Sequence, residues 1–233
     1  MESIAEKHTE ENLSQRLLER PSLPYILPFV LFLLLTVPVY FFPALRPFFY
    51  SAKTILVGVM LWLWRRKYAA DISPRLTPGD WVAALFCGLL VLVIWIVPDG
   101  YLVQFGQNPG FDPYALAGSS GGAWGLIAVR LTGAAVVVPV MEELFWRSFL
   151  MRYLIHPDFQ SVPMGAFTWV SFLSTAVLFG LEHHRILEGI VAGVLFNLLL
   201  VRRKKLKGAI VAHGVTNLAL GIYVLATGSW MFW

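Results

Sequence analysis

Two adjacent carboxylates and an arginine lie in an otherwise apolar part of the chain. Glu142, Glu143 and Arg147 directly follow the apolar run 134–140. A charged side chain in hydrocarbon costs roughly 2.5–3.5 kcal/mol on insertion scales, so such residues are normally retained for a function. On a helix, Glu143 and Arg147 share a face and can pair, whereas Glu142 projects about 100° away. Glu142 could therefore face a reactant, although all three residues could instead form a charge cluster at a membrane boundary.

Histidine and asparagine side chains lie in two later apolar stretches. The first carries Phe179-x-x-x-His183, followed at once by His184, and the second carries His213-x-x-x-Asn217. Three of the five histidines of the chain lie in these two stretches. His213 and Asn217 are four residues apart, so on a helix they point the same way. Such a pair can also act only as a contact between helices, worth about 0.6–2 kcal/mol.

Together these side chains could hydrolyse a peptide bond. A carboxylate base assisted by imidazole can activate water, and the remaining donors can hold a developing oxyanion. The sequence contains no H-E-x-x-H zinc motif, Walker A motif or G-x-G-x-x-G motif. The serine-containing run 118–122 lies in a predicted loop and has no obvious catalytic partner. Glu142, His183 and His213 have the residue types of zinc ligands, although their spacing does not demand a metal.

The composition is that of a polytopic membrane protein. Of the 233 residues, 58% are hydrophobic and 14% are charged, whereas soluble domains are about 25% charged. The net charge of +4 comes from basic residues grouped beside apolar runs. This placement indicates membrane topology rather than a nucleic-acid-binding surface, so we expect no nucleic-acid partner. The single cysteine, Cys87, excludes a disulfide framework within the chain.

Seven apolar stretches predict an all-α membrane protein with about seven or eight transmembrane helices around an intramembrane polar cavity. The length of most of these stretches is close to the roughly 20 residues that a helix needs to cross about 30 Å of hydrocarbon. The fourth either ends at Pro139 or kinks there and continues through the glutamate pair to position 155. The predicted stretches are 25–42, 48–64, 81–97, 122–139 or 122–155, 162–182, 186–201 and 208–233.

We predict one integral membrane domain over residues 25–233, with a motif-bearing core at about 122–225, after a cytoplasmic N-terminal tail at 1–24. The positive-inside rule assigns the basic runs 65–67 and 202–207 to the cytoplasm. The loop 99–121, without Lys or Arg, is assigned to the outside.

Strict alternation then places His183 near the outer face, and Glu142 and His213 near the inner face. Because the stretch 186–201 reaches only about 24 Å, we expect the turn at 183–185 to lie submerged, as membrane proteins tolerate where backbone is buried in protein.

The ordered motifs E-E-x-x-x-R, F-x-x-x-H and H-x-x-x-N resemble those of the CAAX prenyl protease and bacteriocin-processing family. The resemblance covers roughly positions 130–220. Members of that family are glutamic intramembrane endopeptidases with an all-helical membrane fold. The resemblance implies that Glu142 is the base and His183 its partner in activating water. It also implies that His213 and Asn217 stabilise the oxyanion.

The same resemblance implies that Glu143 and Arg147 support the site, and that no metal and no cofactor takes part. His184 is expected to support the site too, or to take the partner role if it faces the cavity in place of His183. The run 179–185 is similar to members that accompany bacterial exosortase-type protein-sorting systems. These expectations describe a bacterial inner-membrane enzyme, in contact with membrane lipids and sorting machinery, that cleaves a hydrophobic or lipidated polypeptide.

Two other functions stay open at this point. One is a non-catalytic membrane scaffold or immunity-type protein of the same fold, in which the polar cluster serves helix packing. The other is a zinc-dependent membrane peptidase. The scaffold predicts that Glu142→Ala destabilises the protein, whereas a catalytic base predicts intact folding and lost turnover.

Overall fold

The computed structural model describes residues 20–102 and 110–233, except for the side chain of residue 40. Most of the predicted N-terminal tail therefore lies outside the described residues. Within them the regular secondary structure is entirely helical, which confirms the predicted all-α class. The main helices are α1 (Leu23–Leu34), α2 (Arg46–Leu63), α3 (Pro78–Ile96), α4 (Ser120–Tyr153), α5 (Trp169–Leu181), α6 (Ile186–Arg203) and α7 (Leu206–Thr227).

Four of these helices are long and apolar enough to cross a membrane, so the chain is an integral membrane protein. They are α2 with the turn before it, α3, α4 and α7, whereas α1 and α5 are shorter apolar helices. The number of seven or eight crossings stays a prediction.

Three of the predicted stretches are wrong in their extent, and one of them is 208–233, since α7 ends at Thr227. The stretch 25–42 is not one helix, because α1 ends at Leu34 and a separate short helix, Pro38–Phe41, follows a turn. This short helix begins with Pro38, which has no N–H to continue the helical hydrogen bonds of α1. The stretch 162–182 is also too long, since α5 begins only after Thr168, whose Oγ1 accepts a hydrogen bond from the Ser171 N–H at 3.1 Å. This side-chain cap sets the start of the helix.

Helix α4 passes through Pro139 and continues for 34 residues in all, which decides between the two predicted endings. The chain widens to a π-helical turn at Gly133–Val137 just before the proline. There the N–H of Val138 donates to the carbonyl of Gly133, and Pro139 has no N–H to donate. The carbonyl of Ala134 is consequently left available to a donor from outside the helix.

Ion pairs fix which loops share an end of the bundle. Asp80 at the start of α3 lies 2.6 Å from the Nζ of Lys205, in the connection between α6 and α7. The two basic runs, 65–67 and 202–207, therefore lie at the same end, as the predicted alternation requires. Asp99, after α3, pairs with Arg185 at the start of α6 at the other end. That the first end faces the cytoplasm stays a prediction.

Small residues allow α7 to approach its neighbours closely. A Cβ on Gly88 of α3 would lie 2.4 Å from the carbonyl oxygen of Ala212, and a Cβ on Gly214 would lie 2.8 Å from that of Ala135 on α4. Only glycine permits such backbone contact, a common device between membrane helices. As a result, the polar side chains of α7 reach directly into the region of the glutamate pair.

Candidate active site

Residues from α3 to α7 line a cavity of about 180 Å³. All four residues predicted to be catalytic contribute to its wall. Glu142 comes from α4, His183 from the turn after α5, and His213 and Asn217 from α7. The three sequence motifs therefore face a single space, and most of the remaining wall is apolar.

The carboxylate of Glu143 is shared between an arginine and a histidine. Its Oε1 accepts hydrogen bonds from Nη1 of Arg147 at 3.1 Å and from Nδ1 of His213 at 3.0 Å. Glu143 and Arg147 are fully buried, and the predicted i,i+4 ion pair is confirmed. Because an ionised carboxylate only accepts, the proton of this bond lies on Nδ1. The Nε2 of His213 is thereby oriented away from Glu143.

Asn197 on α6 holds the other side of Arg147. Its Oδ1 accepts from Nε of Arg147 at 3.0 Å, while its Nδ2 donates to the carbonyl of Phe172 and to Oγ1 of Thr175, each at 2.9 Å. The guanidinium also lies over the ring of Phe179, 4.3 Å from its centroid. The sequence analysis missed Asn197, although a lone amide inside the apolar stretch 186–201 is a signal that could have identified it.

Glu142 lacks such partners. Its side chain is almost fully buried, and its Oε2 has no hydrogen-bond partner among the described residues. The Nε2 of His213 lies 3.9 Å from this oxygen, beyond hydrogen-bond distance. An unsatisfied buried polar atom costs about 1–3 kcal/mol. This oxygen is therefore positioned to accept a hydrogen bond from a water molecule or a substrate.

His183, rather than His184, lines the cavity. The Nδ1 of His183 donates to the carbonyl of Phe179 at 2.7 Å, and the ring packs edge-on against Trp95 at 5.4 Å. His184 is half-buried and is not among the described residues of the cavity wall. Helix α5 has 13 residues, so it spans only about 20 Å, and its short length brings the following turn to the level of the glutamate pair.

Glu182 is a further acidic residue of the site that the sequence analysis did not assign. One ligand atom each from Glu142, Glu182 and His183 lie within 4.8 Å of one another. Trp146 on α4 orients Glu182 by donating from Nε1 to its Oε1 at 3.1 Å. These three side chains could hold a cation, whereas the predicted zinc set contained His213 in place of Glu182. The position of Glu182 next to His183 in the sequence is the signal that could have identified it.

Asn217 supplies a hydrogen bond that the backbone of α4 lacks. Its Nδ2 donates to the carbonyl of Ala134 at 2.8 Å, the group that Pro139 leaves without a helical donor. An amide nitrogen carries two N–H groups, so one remains beyond this bond. Asn217 consequently ties α7 to α4 and retains a donor at the wall of the cavity.

Comparison with known proteins gives the family of this region. Residues 122–219 match the family described as Rce1-like, type II CAAX prenyl endopeptidase Rce1-like. The matched segment contains Glu142, Glu143, Arg147 and the later histidine and asparagine motifs. The resemblance inferred from the three motifs is thereby confirmed, and a membrane endopeptidase of the CAAX type is supported. No curated protein and no solved structure matches the chain significantly.

Proposed function

We propose that this chain is an intramembrane endopeptidase that hydrolyses a peptide bond with water activated by Glu142 and His183. The family match of residues 122–219 supports the class of enzyme. The observation that carries the mechanism is that Oε2 of Glu142, a residue that lines the cavity, accepts no hydrogen bond from the described residues. A buried carboxylate oxygen without a hydrogen-bond partner lowers the stability of the fold, but it can accept a proton as a general base.

In the first step Glu142 takes a proton from the water molecule while the water oxygen forms a bond to the peptide carbonyl carbon. His183 assists by holding the water, and its Nδ1 contact with Phe179 sets the ring orientation. In the neutral ring this contact makes Nε2 the acceptor nitrogen. The products of this step are a tetrahedral oxyanion and a protonated Glu142.

His213 and Asn217 then stabilise the oxyanion. A protonated His213 donates from Nε2, and Glu143 balances the resulting imidazolium charge through the bond to Nδ1. Asn217 donates its second N–H. Donors fixed in advance toward developing charge are the usual source of such stabilisation. Collapse of the intermediate breaks the C–N bond as Glu142 returns its proton to the departing amine.

The substrate that suits this site is a hydrophobic or lipidated polypeptide that reaches the cavity from the membrane. Much of the wall is apolar, including Val91, Ala134, Val138 and Leu220. The basic runs at one end of the bundle support an orientation in which that end and the N-terminus face the cytoplasm. The membrane that we propose is a bacterial inner membrane. The resemblance of the run 179–185 supports an association with protein-sorting machinery.

Processing in liposomes tests this function directly. The purified protein is incubated with a set of palmitoylated or prenylated apolar peptides, and new termini are identified by mass spectrometry. We expect cleavage by the wild type and none by Glu142→Gln. The matched control is Glu188→Gln, which removes a buried carboxylate that lies 3.5 Å from Arg185 and does not line the cavity. Equal cleavage by the wild type and both variants would mean that Glu142 is not the base.

A zinc-dependent peptidase is the second candidate, because Glu142, Glu182 and His183 bring three ligand atoms together. Zinc takes carboxylate and imidazole ligands in catalytic sites and leaves a position for water. Elemental analysis of the purified protein distinguishes the two mechanisms. About one zinc per chain, lost in Glu182→Gln together with activity, would establish the zinc mechanism. Activity that survives chelation in protein without bound metal would support the glutamic one.

A further inference from the structure

The cavity around Glu142 is small for a polypeptide substrate. Its volume of about 180 Å³ is only slightly larger than that of an engineered cavity of about 150 Å³ that holds one benzene molecule. Pockets that enclose small-molecule ligands usually measure about 300–1,000 Å³. The same space must also hold peptide backbone and the attacking water molecule. The side chains of the wall therefore restrict which substrate side chains can enter.

Besides the histidines, five aromatic side chains of the described residues line the cavity, and three of them hold the histidines of the proposed mechanism. The rings of Trp95 and Phe179 pack against that of His183, with centroid distances of 5.4 and 4.9 Å. The ring of Phe196 stacks on that of His213 at 5.2 Å. Replacing any of these three would consequently disturb the chemistry together with the shape of the cavity.

Phe232 and Trp233 are the other two aromatic residues of the wall, and both belong to the segment 228–233 that follows α7. The ring centroid of Trp233 lies 5.6 Å from Cζ of Arg130 on α4. That of Phe232 lies 4.4 Å from Cζ of Arg185 at the start of α6. Neither arginine takes part in the proposed mechanism. These two rings can therefore set the size of the cavity independently of its chemistry.

Backbone contacts hold the segment 228–233 in this position. It leaves α7 at Gly228, whose φ of +69° is a conformation that glycine adopts without strain. The carbonyl of Trp230 accepts a hydrogen bond from the N–H of Phe111 at 3.3 Å, and a Cβ on Gly110 would lie 2.6 Å from the same oxygen. Because the segment packs closely on this neighbouring loop, its side chains form a fixed part of the cavity wall.

We propose that Phe232 and Trp233 are specificity-determining residues that restrict the substrate segment in the cavity to small side chains, such as those of glycine, alanine and serine. The proposal rests on the proposed function, since it concerns the substrate of the same site. Arg130 lies about 18 Å along α4 from Glu142, so the ring of Trp233 beside it lies at the opposite end of the cavity from the base. A large substrate side chain would need the volume that the two rings occupy. A lipid chain on the substrate is larger still, so it lies outside this space.

Thiol labelling tests the size limit without catalysis. The protein carries Cys87→Ala, which removes the single cysteine of the chain, and Val138→Cys, which places a thiol on the cavity wall. Methyl methanethiosulfonate is the small probe, and a dansyl methanethiosulfonate is the large one. We expect Trp233→Leu to raise the labelling rate of the large probe by about tenfold or more and to leave that of the small probe nearly unchanged. Phe232→Leu should act in the same direction and provides the test if Trp233→Leu does not fold.

Cleavage in liposomes tests the effect on substrate choice. Palmitoylated peptides with a segment of alanine are compared with peptides of the same length with a segment of leucine. We expect the wild type to cleave the alanine peptide about 10- to 100-fold faster. Trp233→Leu should lower this ratio by accelerating cleavage of the leucine peptide. The matched control is Trp124→Leu, which replaces an exposed tryptophan of α4 that does not line the cavity.

Three outcomes would overturn the proposal. Equal cleavage of both peptides by the wild type would mean that the cavity does not select by size. Labelling rates and cleavage ratios that stay unchanged in folded Trp233→Leu and Phe232→Leu proteins would assign the limit to other wall residues. The same changes in Trp124→Leu would show a general loosening of the helix bundle. Failure of the wild type to cleave either peptide, with the labelling effects intact, would support the size limit and refute only the proposed hydrolysis.

Discussion

Glu143 and His213 are hydrogen-bonded across the interface between α4 and α7, with 3.0 Å between Oε1 and Nδ1. The neighbouring Glu142 is 3.9 Å from the other nitrogen of the same ring. The two adjacent glutamates therefore have different surroundings. Glu143 is bound to Arg147 and His213, whereas Oε2 of Glu142 accepts no hydrogen bond from any residue that the structure describes. This difference leads to separate expectations for replacing each of them.

Replacing Glu142 by glutamine should abolish peptide cleavage and leave stability unchanged or raised by about 1 kcal/mol, because a neutral amide replaces a buried carboxylate that accepts no hydrogen bond at Oε2 from the described residues. Thermal unfolding of the detergent-solubilised variant and the liposome assay measure the two effects. A large fall in Tm with retained cleavage would instead support the packing role that defines a scaffold.

Replacing Glu143 by glutamine should destabilise the protein by about 3–5 kcal/mol, because Arg147 is then buried without its charged partner. We expect the melting temperature of the solubilised protein to fall by about 6 °C or more. Combining the change with Arg147→Met should recover part of the loss, since both charges are then removed. An unchanged Tm in the single variant would show that the buried ion pair contributes no stability.

Because Asn217 donates a hydrogen bond to the carbonyl of Ala134, we expect substitutions at Asn217 and Pro139 to have coupled effects on the free energy of unfolding. Asn217→Leu should cost about 0.6–2 kcal/mol, because the carbonyl of Ala134 loses its donor. Pro139→Ala restores a backbone N–H beside that carbonyl, so the same Asn217 change should cost less in this background. A double-mutant cycle of unfolding free energies measures the coupling. Additive effects would mean that Pro139 is not the reason for the contact. Replacing Asn217 should abolish cleavage both with Pro139 and with Pro139→Ala.

The two adjacent histidines should differ in function. His183→Ala should reduce cleavage strongly, because His183 lines the cavity with Glu142. His184→Ala should reduce it far less. Initial rates in the liposome assay, with protein folding checked by gel filtration, provide the comparison. The reverse order would transfer the partner role to His184.

Local sequence determined much of what matters for the mechanism. The low charge content indicated a membrane protein, and the periodicity of a helix paired Glu143 with Arg147 while turning Glu142 away. The order of the three motifs indicated the family whose model matches residues 122–219. These features depend on composition or on residues within one helical turn, so they can be inferred without knowing how helices pack.

Only the tertiary structure decided which residues from different helices meet. It assigned His213 to Glu143 and placed Asn197 against Arg147. It also enclosed Arg130 in aromatic rings from three distant parts of the chain. Such contacts depend on the rotation, depth and close approach of whole helices. Glycines such as Gly88 and Gly214 set that approach, and the periodicity of a single helix carries no information about its neighbour.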